Sequence, residues 1–315
     1  MGLATILIIV CHMPAHGVVM PNLVSKAIQY GALGVDIFLF LSGMGIYCSL
    51  KQNTEKGKSL MWWYMRRLLR IYVPWLLFAI PFYLFQNGSD WNIVDYVLIW
   101  SCFAFWVNGD GLWFVALVVV LYLISPFFLK MCRSRRKWLY AGFLILVTWL
   151  LGSIYGLDGM AEHLRFGLCR IPSYVLGFVM AEDIIQKRYY PTKLYLGGVL
   201  LVLAIALIVR FVLHVKLSLF WLQGMLLLII CGILVCKLKS NVSHRFLDFM
   251  GSISLESYFT NVCLLICFQT LSWNIGGRDI SYGNWTYYIV GTLVCIVVAY
   301  VIHYVSTLII KKVNC

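Results

Sequence analysis

The sequence predicts an all-α polytopic membrane protein, with about ten transmembrane helices in one bundle and a cytoplasmic N-terminus. Three observations carry this. First, 62% of the 315 residues are apolar and only 12% charged, too little polar surface to cover a water-facing exterior. Second, apolar stretches of about 18 or more residues recur along the whole chain, without the apolar/polar alternation of a membrane barrel. Third, the cationic residues are distributed unevenly between the two sets of connecting segments.

In order, the spans are expected near 2–20, 31–50, 70–87, 112–131, 138–155, 168–185, 194–213, 217–236, 248–272 and 286–310. The first run has no convincing small-residue cleavage site after it, so it reads as a span and not as a cleaved signal. With the N-terminus inside, 19 of the 25 Lys and Arg fall in inner segments such as "KMCRSRRK" and "QKRYYPTK". Only Lys26, Arg165, Lys216 and Arg278 fall outside, and Arg170 and Arg210 lie within spans. That bias is the positive-inside pattern. It accounts for most of the net charge of +13 and argues against a nucleic-acid footprint.

The segment 88–111, "GSDWNIVDYVLIWSCFAFWVNGDG", is too apolar for a plain loop. Counted as a span it would invert every later loop, so it is expected to be interfacial or re-entrant, with its Trp residues at headgroup level. No repeat and no appended soluble domain is visible, and residues 1–315 read as a single transmembrane domain. The 11 cysteines lie mostly in apolar runs without zinc-type spacing, as small packing residues do, and no metal site is expected.

Ionisable groups within spans are costly and therefore informative. "LIIVCHMPAHG", residues 7–17, places His12 toward the outer half of the first span, with His16 four residues on. Asp36 begins the second span, Trp113 opens the fourth and Arg170 the sixth, all on the outer side. Arg67 and Arg70 mark the cytoplasmic entry of the third. Glu256 lies deep in the ninth. A histidine so placed is either a satisfied bundle residue or a general base for a hydroxyl. Asp36 is either a helix cap or the carboxylate that holds the tautomer of His12. Arg67 and Arg70 share a helix face and either snorkel as topology charges or grip phosphates. Trp113 is either an aromatic-belt residue or part of a site.

The order of these pieces resembles the acyltransferase 3 family of bacterial multi-pass membrane O-acyltransferases. "GLATILIIVCHM" is similar to its first-span signature ending in the essential histidine, here His12. "GVDIFLFLSGMGIY", 34–47, matches the second-span signature at Asp36, Ser42 and Gly43. "YMRRLLRIYVPW", 64–75, matches the RxxR element with Arg67 and Arg70. "GLWFVALVVVLYLISPFF", 111–128, aligns Trp113 and Tyr122. "RIPSYVLGFVMAE" carries Arg170, Pro172 and Gly177, and "MGSISLESYFTNV" resembles the late element around Glu256. Two positions depart from the pattern. Met1 stands where an arginine is usual, eleven residues before the histidine, which favours an N-terminus extending upstream. Asn261 stands where relatives often carry a histidine.

The resemblance implies transfer of an acyl group, most often acetyl, from cytoplasmic acyl-CoA to a hydroxyl of an envelope or exported glycan across the bacterial cytoplasmic membrane. His12 would be the general base, supported by Asp36 or Glu256. Arg67 and Arg70 would hold acyl-CoA, a co-substrate and not a bound cofactor. Ser42, Trp113, Tyr122, Arg170 and His16 would serve the acceptor or support the site. A rival reading is a transporter or exporter of glycan-linked or small anionic substrates using the same charges. It predicts internal pseudo-symmetry, and no such repeat is visible.

Overall fold

In a computed structural model the chain is built of helices, and residues 1–87, 90–186, 192–212, 214, 216–264, 273–275, 278–280 and 283–313 are described. The first helix, α1 (Gly2–Cys11), is followed by α2 (Asn22–Gln29), which continues through a 3-10 turn at Tyr30–Leu33 into α3 (Gly34–Glu55). Next come α4 (Leu60–Asn87), α5 (Ile93–Trp100), α6 (Ala104–Asn108), α7 (Trp113–Cys132), α8 (Lys137–Leu151), α9 (Gly159–Leu168) and α10 (Ile171–Ile185). The chain continues with α11 (Thr192–Val212), α12 (Phe220–Lys237), α13 (Asn241–Ser252), α14 (Ser254–Phe259) and α15 (Trp285–Val313). Between α14 and α15 a short antiparallel hairpin, β1 (Trp273–Ile275) and β2 (Arg278–Ile280), pairs Asn274 with Asp279.

Among the described residues six helical stretches are long and apolar enough to cross a membrane: Asn22–Glu55, Leu60–Asn87, Trp113–Cys132, Tyr195–Val212, Phe220–Lys237 and Trp285–Val313. The other expected spans are shorter than the sequence suggests. The 2–20 run breaks because Pro14 offers no N–H to continue the helix and its ring crowds the carbonyl one turn back. What remains, Gly2–Cys11, rises only about 15 Å, half of a hydrocarbon core of about 30 Å. Helices α8 and α10 have 15 residues each. The 248–272 run divides into α13, α14 and a π-helical turn at Thr260–Leu264, and residues 265–272 lie outside the described set. So do Lys187 and Arg188 of "QKRYYPTK" and the final Asn314 and Cys315.

The 88–111 segment folds from residue 92 onward into the two short helices α5 and α6, neither able to span. Helix α5 starts on a capping box in which the Asn92 side chain accepts from the N–H groups of Val94 and Asp95, and Asp95 accepts from the N–H of Asn92.

The chain divides into two compact units, the first formed by residues 1–34, 68–101 and 239–315, the second by 35–67 and 102–238. In the first, α1 lies along α13 and α14. Ile9 and Met13 pack there with Met250, Ile253, Tyr287 and Tyr288, and the Thr5 hydroxyl donates to the Met250 carbonyl (3.3 Å). Part of α4 adds aromatic packing: Trp75 and Phe78 meet Phe259, with ring centroids 5.9 and 5.0 Å apart. In the second unit, α3 and α10 touch backbone to backbone. Gly43 faces the Tyr174 carbonyl and Gly177 faces the Phe40 carbonyl, each so close that a Cβ would overlap the partner chain. Such small residues let helices approach closely where lipid supplies no hydrophobic drive. Phe40 and Met180 then join Trp149, Trp221, Leu222 and Met225 in a common core. On α9 the Arg165 guanidinium chelates Glu162 and holds its carboxyl below the usual carboxylate range.

Candidate functional site

In the first unit the site begins where α1 stops. His12 is the residue after its last turn, its backbone N–H still bonded to the carbonyls of Ile8 and Ile9. The Pro14–His16 turn folds back so that the His16 N–H meets the His12 carbonyl (3.1 Å). His16 is buried and its ring lies 5.7 Å from that of Tyr288 on α15. Asn261 lies on the π-helical turn. The Asn261 amide is itself tied down. Tyr288 Oη donates to the Ile9 carbonyl and stands 3.5 Å from the Asn261 amide oxygen, while Asn261 Nδ2 reaches Thr292 Oγ1 at 3.5 Å. Thr260 pins the same turn to α15 by donating to the Cys295 carbonyl (3.1 Å). His12 Nδ1 is buried and has no partner among the described residues.

Glu256, buried on α14, pairs with His303 Nδ1 (3.0 Å). The sequence singled out Glu256 but gave His303 no role. Its one visible signal was an ionisable residue within an apolar run.

In the second unit Asp36 is fully buried in the first turn of α3. Its carboxylate takes an ion pair from Arg170 and a hydrogen bond from Ser173 Oγ (2.7 Å), both presented by the start of α10. Asp36, foreseen either as a helix cap or as the carboxylate that holds the tautomer of His12, stands within its own unit as one half of a buried charge pair. A buried carboxylate keeps its charge at tolerable cost only with such partners. Gly224 of α12 abuts Asp36 so tightly that a Cβ would collide with it. The Phe220 ring covers the Arg170 guanidinium at 4.1 Å, and Trp113 stands 6.0 Å from it, favourable places for a cation. Trp113 in turn packs edge-on against Phe166 (4.8 Å). The structure thus joins Asp36, Arg170 and Trp113 of the predicted set, and adds Ser173, Phe220 and Gly224. Ser173 and Gly224 were illegible because their importance lies only in contact with Asp36.

Arg67 and Arg70 lie three residues apart on α4 and so on one face. Arg67 is half-buried and donates Nε to Ser49 Oγ (2.9 Å), which also accepts from Trp63 Nε1 (2.8 Å); Arg70 is exposed. The Tyr174 hydroxyl meets Ser125 Oγ (2.7 Å), and Tyr122 is half-buried on α7. Ser42 is half-buried on α3. Among the described residues no three His, Cys, Asp or Glu side chains gather as a metal site requires.

Six long apolar helical stretches, one of them carrying the buried carboxylate of an ion pair, mark a multi-pass membrane protein. A model of the acyltransferase 3 family, described as an acyltransferase domain, matches residues 2–304, and the chain belongs to that family. It is a membrane acyltransferase. No curated protein and no solved structure matches it.

Proposed function

We propose that the protein moves an acyl group, in the first instance acetyl, from acyl-CoA on the cytoplasmic side to a hydroxyl of an envelope or exported glycan, and that it does so in the bacterial cytoplasmic membrane. The observation that carries this is His12: an imidazole at a helix end, its Nδ1 buried and without a partner among the described residues, in a chain of this family. A buried polar atom without a partner calls for an explanation, and a base awaiting a hydroxyl supplies one. His12 removes the acceptor's proton as its oxygen attacks the thioester carbonyl. The carbon–sulfur bond then breaks, and the proton passes from the imidazolium to the departing CoA thiolate. Arg67 and Arg70 meet the CoA phosphates. Trp113, Tyr122, Ser42 and His16 serve the acceptor or the walls of the site, and the Asp36–Arg170 pair holds α3 to α10.

The test is label transfer in membrane vesicles given acetyl-CoA with a labelled acetyl group and an envelope-glycan fraction. His12→Ala is expected to lower transfer by roughly 10²–10⁴-fold at equal protein level; undiminished labelling removes His12 from the chemistry. Flux of glycan or acetate across the vesicle without labelling would favour the transporter reading. Ser49→Ala removes one hydrogen bond that positions Arg67 and is expected to raise the KM for acyl-CoA about fivefold, the equivalent of about 1 kcal/mol, with kcat unchanged. An unchanged KM would separate Arg67 from donor binding.

A further inference from the structure

We infer that Lys58, Trp62 and Arg66, where the α3–α4 connection enters α4, form a binding site for the phosphate of an anionic phospholipid. The inference is independent of the acyl-transfer reading and concerns a side of α4 that Arg67 does not use.

Two cations lie over one indole. Lys58 Nζ stands 3.8 Å from the centre of the Trp62 ring, and Arg66 Cζ stands 4.5 Å from it. An aromatic face attracts a cation through its quadrupole, but it carries no net charge, so the two cations still repel each other. Glu55, the single acid of residues 51–70, forms no ion pair with either of them among the described residues. Lys51, Lys137, Arg165 and Arg170, by contrast, each meet a carboxylate. An anion beside the Trp62 ring satisfies both charges at once.

The backbone holds this arrangement in place. Asn53 is buried, and its Nδ2 donates to the carbonyls of Lys58 (3.0 Å) and Ser59 (3.3 Å), while the Lys58 N–H donates to the Asn53 carbonyl (3.1 Å). Gly57 supplies the left-handed turn at φ +62°. Ser59 Oγ then accepts from the Trp62 N–H (3.2 Å) and caps α4. Lys58 thus extends from a fixed main chain, which lowers the ordering cost of a bound ligand.

Position decides which anion. Helix α4 has 28 residues and rises about 42 Å, against about 30 Å of hydrocarbon and about 40–45 Å with both headgroup layers. Its first turns therefore lie at headgroup level, where Trp is favoured. Trp62 and Arg66 are one turn apart on an exposed side of the helix, beside Met61 and Met65, which are 70% and 53% exposed. Further along α4, Leu77, Ile80 and Leu84 are exposed as well, as suits a side turned to lipid. Arg67 turns the other way, to Ser49. A phosphate reaching Lys58 and Arg66 arrives with its hydrocarbon along α4, as a phospholipid does and a soluble phosphate does not.

The experiment titrates the purified full chain in detergent with phosphatidylglycerol, with phosphatidylcholine and with CoA, counting bound lipid by native mass spectrometry. Phosphatidylglycerol is expected to bind and to raise the thermal unfolding midpoint, and phosphatidylcholine to bind far more weakly. Lys58→Gln with Arg66→Gln is expected to raise the half-saturating phosphatidylglycerol concentration about thirtyfold, with the lipid-free midpoint unchanged. Trp62→Leu should raise it by a smaller factor. Arg133→Gln with Arg135→Gln removes two other exposed cations and is expected to leave it unchanged. An equal loss in that control would reduce the effect to general surface charge and overturn the inference. Displacement of phosphatidylglycerol by CoA would assign the cations to a soluble phosphate and overturn it too, as would undiminished lipid binding by the Lys58→Gln, Arg66→Gln protein.

Discussion

Replacing Asp36 by alanine is expected to destabilise the protein by about 3–5 kcal/mol, the usual result of leaving one member of a buried ion pair behind. Arg170 would then be a cation buried against Phe220 with its counter-charge gone, and Ser173 would lose its acceptor. The measurement is the midpoint of thermal unfolding, or resistance to proteolysis, of purified protein in detergent. Arg170→Met alone should be comparably damaging, because it strands the carboxylate. The double variant Asp36→Leu with Arg170→Met should lie closer to wild type than either single one, since no charge remains to be buried. Wild-type stability in Asp36→Ala combined with lost acyl transfer would return Asp36 to the chemistry and end its reading as an anchor.

That pair marks the boundary of what the sequence disclosed. Asp36 and Arg170 each stood out alone, as charges within apolar runs, because the bilayer's cost for a charge can be read from one residue at a time. Their partnership was not legible, since 134 residues separate them and both identities fit other roles equally well. The long helices were legible for a similar reason: hydropathy over about 18 residues is a local property. The first helix shows the limit of that local signal. Its apolar run continues past Cys11, and the hydropathy averages smooth over Pro14, although proline chemistry alone would have stopped the helix. Asn261 shows another limit. Compared with a family pattern it looked like a departure; in the structure it is a buried residue on a π-helical turn, beside Tyr288 and Thr292 of α15. An asparagine in an apolar run carries no charge to announce it, and a π-helical turn has no sequence signature.

The second large effect is expected at Gly177. Adding even a methyl group there drives a Cβ into the Phe40 carbonyl of α3, and a helix backbone, unlike a side chain, has no alternative rotamer to adopt. Helix α10 would have to move away from α3. Gly43 makes the reciprocal approach to Tyr174, so the displacement could not be absorbed locally. Arg170 and Ser173 ride on the first turn of α10 and would be drawn from Asp36 together, adding the cost of a weakened buried pair to that of overpacking, about 1–3 kcal/mol by itself. Gly177→Ala should therefore lower the unfolding midpoint, and Gly177→Leu should prevent accumulation of folded protein in the membrane. Gly45 is the internal control. It lies on the same helix, α3, is exposed, and has nothing within 4 Å of the position a Cβ would take. There the change to alanine meets only the backbone preference, and Gly45→Ala should match or exceed wild-type stability by up to about 1 kcal/mol. Equal losses at Gly45 and Gly177 would show that α3 and α10 do not approach as closely as these glycines require. A loss confined to Gly177, and enlarged when Asp36 is intact, would show that the close approach of these two helices is what keeps the buried charge pair closed.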